Sequence, residues 1–273
     1  MPTDAYLRDF GCGLGAAFVT TSITFPINKL IYRQVLGDGR LKNAFESIRK
    51  EGPFYLYRGC LPPLLQKTVS ITTMFGVNNS AMIALKRYNM NEYLEKISAS
   101  AASGTLEAGF MPFERVQVLL VHAKYNKRFR NMFHAFKQLR AQYGLKEYYR
   151  GFTIIWMRNI CSNSCFFITK SELQKLQIMK DKRVKDSVKN FCSGGLLGLI
   201  MSTLFYPMKV MKIFAHEKIG GPHYSVFKTA AAVYKQNGGG LKNFYPGVAM
   251  NGVRSLLSWG ITNMVFEFLK NVA

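Results

Sequence analysis

The chain has 273 residues, 48% of them apolar and 14% aromatic, with a formal net charge of +22. That length admits one large domain or two smaller ones, and a mean hydropathy of zero does not by itself speak for or against a membrane. The charge leaves two broad sets of partners, nucleic acid or anionic lipids and solutes.

Five cysteines (Cys12, Cys60, Cys161, Cys165 and Cys192) are odd in number and hold no Cys-x-x-Cys pair. They argue against a disulfide framework or a zinc site and for buried, reduced thiols. The chain reaches Arg8 and Asp9 before any apolar run. No cleavable secretory signal and no amphipathic transit peptide is expected there, which makes any organelle address internal.

Taken in order, a first long apolar segment runs from about 10 to 35 and ends in the stretch Pro26–Gln34. From Leu36 to Arg58 the chain is polar and basic, and the helical spacing of Ala44, Phe45 and Ile48 predicts a short amphipathic surface helix. A second long segment covers about 61–86. The plan then returns twice. Surface helices are predicted over Met132–Tyr143 and Val226–Tyr234, and second long segments over 152–176 and 248–270.

Two unrelated marks keep phase with this plan. The stretch Pro26–Gln34 recurs as Pro112–Leu120 and Pro207–Ala215. Gly52 followed by Tyr57-Arg58-Gly59 recurs as Gly144 with Tyr149-Arg150-Gly151, and as Gly240 with Tyr245-Pro246-Gly247. The chain is therefore divided into three repeats, 1–91, 92–182 and 183–273, forming one structural body. At one fixed distance upstream of the prolines stand Gly13 and Ala17, Ala99 and Ser103, and Gly194 and Gly198. This small-xxx-small register lets helix backbones approach closely in lipid.

Six segments of this length can each cross a bilayer core of about 30 Å. None is uniformly apolar: the first carries Thr20, Thr21, Ser22 and Thr24, the second Gln66, Lys67 and Ser70. One face of each must avoid lipid, so the six are expected to surround a polar cavity. Pro26, Pro112 and Pro207 are expected to kink three helices at equivalent heights and narrow one end. The fold class read from this is all-α, with six transmembrane helices in three pseudo-symmetric repeats.

These motifs resemble the mitochondrial carrier family, and the resemblance covers essentially the whole chain. It implies pseudo-threefold symmetry, a central solute cavity and alternating access across the inner mitochondrial membrane. It also implies a monomer, and cardiolipin bound near Gly52, Gly144 and Gly240. The family places an acid two residues after each motif proline and a base five after, forming an ion-pair gate. Here the acid positions hold Asn28, Glu114 and Lys209, and the base positions Ile31, Gln117 and Lys212. Only Glu114 with Lys212 can make the pair. Of the family's second ring only Phe266-Glu267 with Lys270 is kept, against Asn78-Asn79 with Met82 and Thr169-Lys170 with Leu173. The stretches 57–68, 112–117 and 254–261 resemble the family's NAD-carrier branch. That resemblance implies NAD as a transported substrate rather than a cofactor.

Each second segment carries one base about two turns in: Lys67, Arg158 and Arg254. Three cations at one height around a cavity form an anion site, and arginine can hold a phosphate with two parallel hydrogen bonds. The plainer alternative is that each base snorkels or pairs structurally. Glu107 breaks the symmetry, standing where the other repeats hold Thr21 and Ser202. It is either a counter-charge for a cationic part of the solute or a partner for Arg158 or Lys67. Gln66, Met157 and Ser255 adjoin these bases and complete the candidate substrate site. Trp156 either stacks on a ring or faces lipid.

No Gly-rich phosphate loop, nucleophile–base pair or metal-ligand spacing points to an enzyme. A soluble nucleic-acid binder would want its charge in an exposed stripe, whereas here the bases lie largely between apolar segments.

Overall fold

A computed structural model describes residues 2–67, 81, 82, 85, 91–175 and 186–272; side chains are described for 11–67, 81, 82, 85, 91–172, 194–236, 238–266, 268 and 269. Most of the expected second segment of the first repeat, with Asn78 and Asn79, lies outside the described residues, as does the boundary at 182/183.

The helices are α1 (Pro2–Leu36), α2 (Leu41–Glu51), α3 (Glu92–Ala108), α4 (Met111–Val121), α5 (Met132–Tyr143), α6 (Phe152–Lys175), α7 (Asp186–Leu204), α8 (Tyr206–Glu217), α9 (Val226–Lys235) and α10 (Val248–Val272). Residues 61–67 are also helical. Gly11–Leu36 is long and apolar enough to cross a membrane, as is Gly194–Leu204 with Tyr206–Glu217 taken as one span bent by 55°. At 1.5 Å per residue, Gly11–Leu36 is about 39 Å long, which a 30 Å core accommodates by tilt. Apolar side chains including Phe18, Ile23, Leu106, Leu196, Leu204 and Phe268 are exposed on the outside of the long helices.

The motif prolines do not act alike. α1 runs unbroken through Pro26, and Thr24 Oγ1 donates to the Thr20 carbonyl 2.7 Å away. In the second repeat the helix breaks between α3 and α4, where Gly109 and Phe110 donate to the carbonyls of Leu106 and Glu107 in tighter i→i+3 bonds. The third breaks at Phe205. The helix is thus interrupted at the motif proline in the second and third repeats and continuous in the first.

Among the described residues the long helices pack side by side in series. α1 packs along α10, α10 along α7, α7 along α6 and α6 along α3. The small-residue register serves this packing unevenly. Gly194 and Gly198 form a notch for the Trp259 indole, where a Cβ on Gly198 would collide with Nε1. Ala99 and Ser103 are fully buried, whereas among the described residues Gly13 has nothing within 4 Å of its would-be Cβ.

The main apolar core lies at the proline-motif end and draws on all three repeats, with Phe25, Ile31, Val118, Val121, Val210 and Ile213 buried together. The repeated glycines belong to this end. Gly52, Gly144 and Gly240 have φ of 89°, 76° and 135°; Gly59, Gly151 and Gly247 have 86°, 82° and 79°. Both marks are backbone requirements, because other residues rarely adopt that region. The second glycine of each pair also seats against the end of the next repeat's helix. A Cβ would meet Val121 at Gly59, Ala215 at Gly151 and Gln34 at Gly247.

The surface helices α2, α5 and α9 sit between the long helices of their repeats. In α2, Ala44 and Ile48 are buried as expected, but Phe45 points outward, 57% exposed. It stands about 100° off the buried stripe. Asn131 and Ser225 cap α5 and α9 by accepting from the backbone N–H of His134 and Lys228.

Candidate solute site and gate

A cavity of about 360 Å³ opens among these helices. Asn28 and Tyr32 reach it from α1, and Glu107, Glu114 and Gln117 from α3 and α4. Arg158 and Ser162 reach it from α6, and Met201, Ser202, Phe205, Lys209 and Lys212 from the α7–α8 break. Pro63, Gln66 and Lys67 complete the wall with Asn251 and Arg254 of α10. Lys67, Arg158 and Arg254 thus line one cavity although they come from three repeats. Each stands seven or eight residues past a seated glycine, Lys67 eight past Gly59 and Arg158 and Arg254 seven past Gly151 and Gly247, which brings three distant bases to nearly one height.

Glu107 lines the same cavity. It accepts a hydrogen bond from Asn163 Nδ2 at 3.3 Å. Among the described residues it forms no ion pair with Lys67 or Arg158 within 4.0 Å, so its charge is left facing the cavity.

Among the described residues one ion pair lies in the cavity wall. Lys212 Nζ lies 2.9 Å from Glu114 Oε2, and Gln66 Nε2 donates to Glu114 Oε1 at 2.9 Å. Gln66 is therefore a wall residue that also fixes the Glu114 carboxylate. Asn28 lines the wall beside this pair, and the buried Gln117 Nε2 has no hydrogen-bond partner among the described residues. The side chains of Glu267 and Lys270 lie outside the described ones, so the second ring has no described geometry.

Two site expectations are corrected. Met157 and Ser255 do not line the cavity: Met157 is exposed and Ser255 is buried in packing. A step of one residue turns a helical side chain by about 100°, which moves the neighbours of Arg158 and Arg254 off the cavity face. Trp156 lies off the cavity too, with Nε1 donating to Thr105 Oγ1 at 3.0 Å. Pro26, Pro112 and Pro207 shape the helices but do not line the wall.

Sequence reasoning passed over Tyr32, Ser162 and Lys209. Their signal was available, since Tyr32 follows Asn28 and Ser162 follows Arg158 by one helical turn. Lys209 was visible only as a departure from the motif. Among the described residues no cluster of His, Cys, Asp and Glu is placed to hold a metal.

The family profile described as mitochondrial carrier protein matches residues 2–89, 90–181 and 184–273. The chain belongs to the mitochondrial carrier family. This carrier is 38% identical, over 97% of its own length and 90% of the relative's, to a mitochondrial nicotinamide adenine dinucleotide transporter of Homo sapiens. It is 35% identical to the transporter of the same description from Mus musculus, over 97% of this chain and 90% of that protein. It is 31% identical, over 96% of this chain and 86% of the relative, to human solute carrier family 25 member 53.

Proposed function

We propose that this multi-pass protein of the inner mitochondrial membrane carries oxidised nicotinamide adenine dinucleotide into the matrix by alternating access. The observation that carries this reading is one cavity lined by Lys67, Arg158 and Arg254 together with an acid, Glu107, that makes no ion pair with Lys67 or Arg158. The solute has an anionic pyrophosphate and a cationic nicotinamide ring. The three bases hold the pyrophosphate through charge-assisted hydrogen bonds, and Glu107 faces the ring. A nucleotide such as ATP, with no cationic ring, would gain from the bases and be repelled by the acid.

Relatives covering nearly the whole chain and described as transporters of this dinucleotide support the choice of solute. The solute leaves unchanged, so the protein is a transporter and not an enzyme, and it uses no cofactor. Glu114 and Lys212 form the inner gate, braced by Gln66 and flanked by Asn28 and Gln117. Glu267 and Lys270 are what is left of the outer one. The three repeats act as one monomeric body, with cardiolipin at the matrix-side surface helices.

The test is uptake of labelled oxidised dinucleotide into liposomes holding the purified protein. Saturable uptake that is lost in Lys67→Ala and Arg158→Ala is expected, and Glu107→Gln should raise the apparent KM for the oxidised form. No uptake by a folded wild type that takes up another nucleotide-like anion would reassign the solute. Uptake unchanged in Glu107→Gln would remove the counter-charge role.

A further inference from the structure

The cavity wall carries five bases, Lys67, Arg158, Lys209, Lys212 and Arg254, against two acids, Glu107 and Glu114. Glu114 is already committed to Lys212. Lys209 occupies the position where the second repeat places Glu114, so the third repeat turns an acid of the gate into a base. Among the described residues no carboxylate lies within 4.0 Å of its ammonium. Instead Lys209 Nζ donates to Asn251 Oδ1 at 2.8 Å. Arg254 Nη2 reaches the same oxygen at 3.5 Å, and Asn251 Nδ2 is turned away toward the Ser202 carbonyl at 3.4 Å.

A single neutral oxygen is therefore shared between two cations. An amide oxygen can satisfy hydrogen bonds but does not neutralise charge, and two like charges brought together in a poorly solvated wall repel. A phosphoryl oxygen at that place would accept from both and neutralise them.

We propose that Lys209 is a phosphate ligand of the solute, acting with Arg254, and that Asn251 holds the phosphate's place in the empty carrier. The inference rests on the reading of a dinucleotide solute for its biological meaning, but not for its test. It puts one phosphoryl group at the cavity floor, one helical turn from Lys212 and the Glu114 pair. Solute charge then lands beside the gate, where Asn28 and Lys209 supply no acid. The plainer role for the Lys209–Asn251 bond is to tie α8 to α10.

The probe is inorganic pyrophosphate, read as a thermal shift of the detergent-solubilised carrier, beside dinucleotide uptake in liposomes. Wild type is expected to be stabilised by pyrophosphate, Lys209→Gln to lose that shift, and Lys209→Arg to recover it. Glutamine can keep a hydrogen bond to Asn251 while losing the charge, so a mere tie would survive. In uptake, Lys209→Gln should raise the apparent KM about tenfold with little change in maximal rate, the effect of one charge-assisted hydrogen bond. Asn251→Asp guards against a variant that fails to fold. A fixed carboxylate there would pair with both cations, raise the melting temperature of the empty carrier and abolish the pyrophosphate shift. A pyrophosphate shift that persists in Lys209→Gln or Asn251→Asp would overturn the proposal. Wild type stabilised by pyrophosphate but inert toward the dinucleotide would sink the solute assignment and leave the phosphate site standing.

Discussion

At the proline-motif end, the junction between repeats two and three and the junction between repeats three and one use the same glycine seat but different fastenings. In the first, Arg150 hydrogen-bonds to the carbonyls of Gly220, Gly221 and Pro222 in the next repeat at 2.8–3.0 Å, and Glu147 holds its guanidinium. Arg115 adds a 2.6 Å bond to Glu147 and donates to the His216 and Lys218 carbonyls. Between repeats one and two, Arg58 does the same work on the carbonyls of Asn126, Tyr125 and Phe129, and Glu51 accepts from Asn126 Nδ2 at 2.6 Å. In the third junction Pro246 stands where Arg58 and Arg150 stand, and Val210 where Lys29 and Arg115 stand. Neither side chain donates a hydrogen bond. Tyr206 donates its hydroxyl to the Pro246 carbonyl within the repeat, and a void of about 290 Å³ lies between Gln34–Arg40 and Gln236–Pro246.

The difference teaches that one seating geometry tolerates two chemistries. A guanidinium answers the loop carbonyls that follow a helix end, whereas Pro246 and Val210 offer no donor to do so in the third junction. Two tight junctions and one loose one make the three repeats unequal, in step with the unequal breaks at their prolines.

The sharpest way to break this comparison is Arg150→Ala. Removing one partner of a buried, hydrogen-bonded ion pair leaves Glu147 and three carbonyls without it, and should cost about 3–5 kcal/mol. Thermal unfolding of the detergent-solubilised carrier reads it. Arg58→Ala should cost less, about 1–3 kcal/mol, since its partners are neutral carbonyls. Pro246→Ala should change stability by under about 1 kcal/mol; a loss matching that of Arg150→Ala would erase the distinction between the junctions.

Acid sharpens it further. Burial alone would raise the Glu147 carboxyl, but the Arg150 hydrogen bond and the nearby Arg115 charge outweigh it and hold the group below the usual carboxylate range. A depressed folded value contributes stability that is full above the unfolded carboxylate range and is lost as pH falls through the folded one. Melting temperature should therefore drop on acidification below that range, and Glu147→Gln should start lower and flatten the drop.

The sequence by itself determined the threefold plan. Its two glycine marks are backbone requirements, and a backbone requirement is written in the residue that meets it. It also carried the three bases and Glu107 to one cavity, because offsets of seven or eight residues along equivalent helices put the bases at nearly equal heights. The lone ion pair of Glu114 and Lys212 was legible for the same reason.

Tertiary structure alone decided what lies across from a residue. Helical phase at a given turn removed Met157 and Ser255 from the cavity and brought Tyr32 and Ser162 into it, since a shift of one residue is a third of a turn. It decided that Glu107 stands apart from Arg158 and Lys67, and that Gln66 braces Glu114. It also put Asn251 between Lys209 and Arg254, across 42 residues of chain. Such pairings depend on how two helices pack side by side, and neither helix's sequence states the other's rotation.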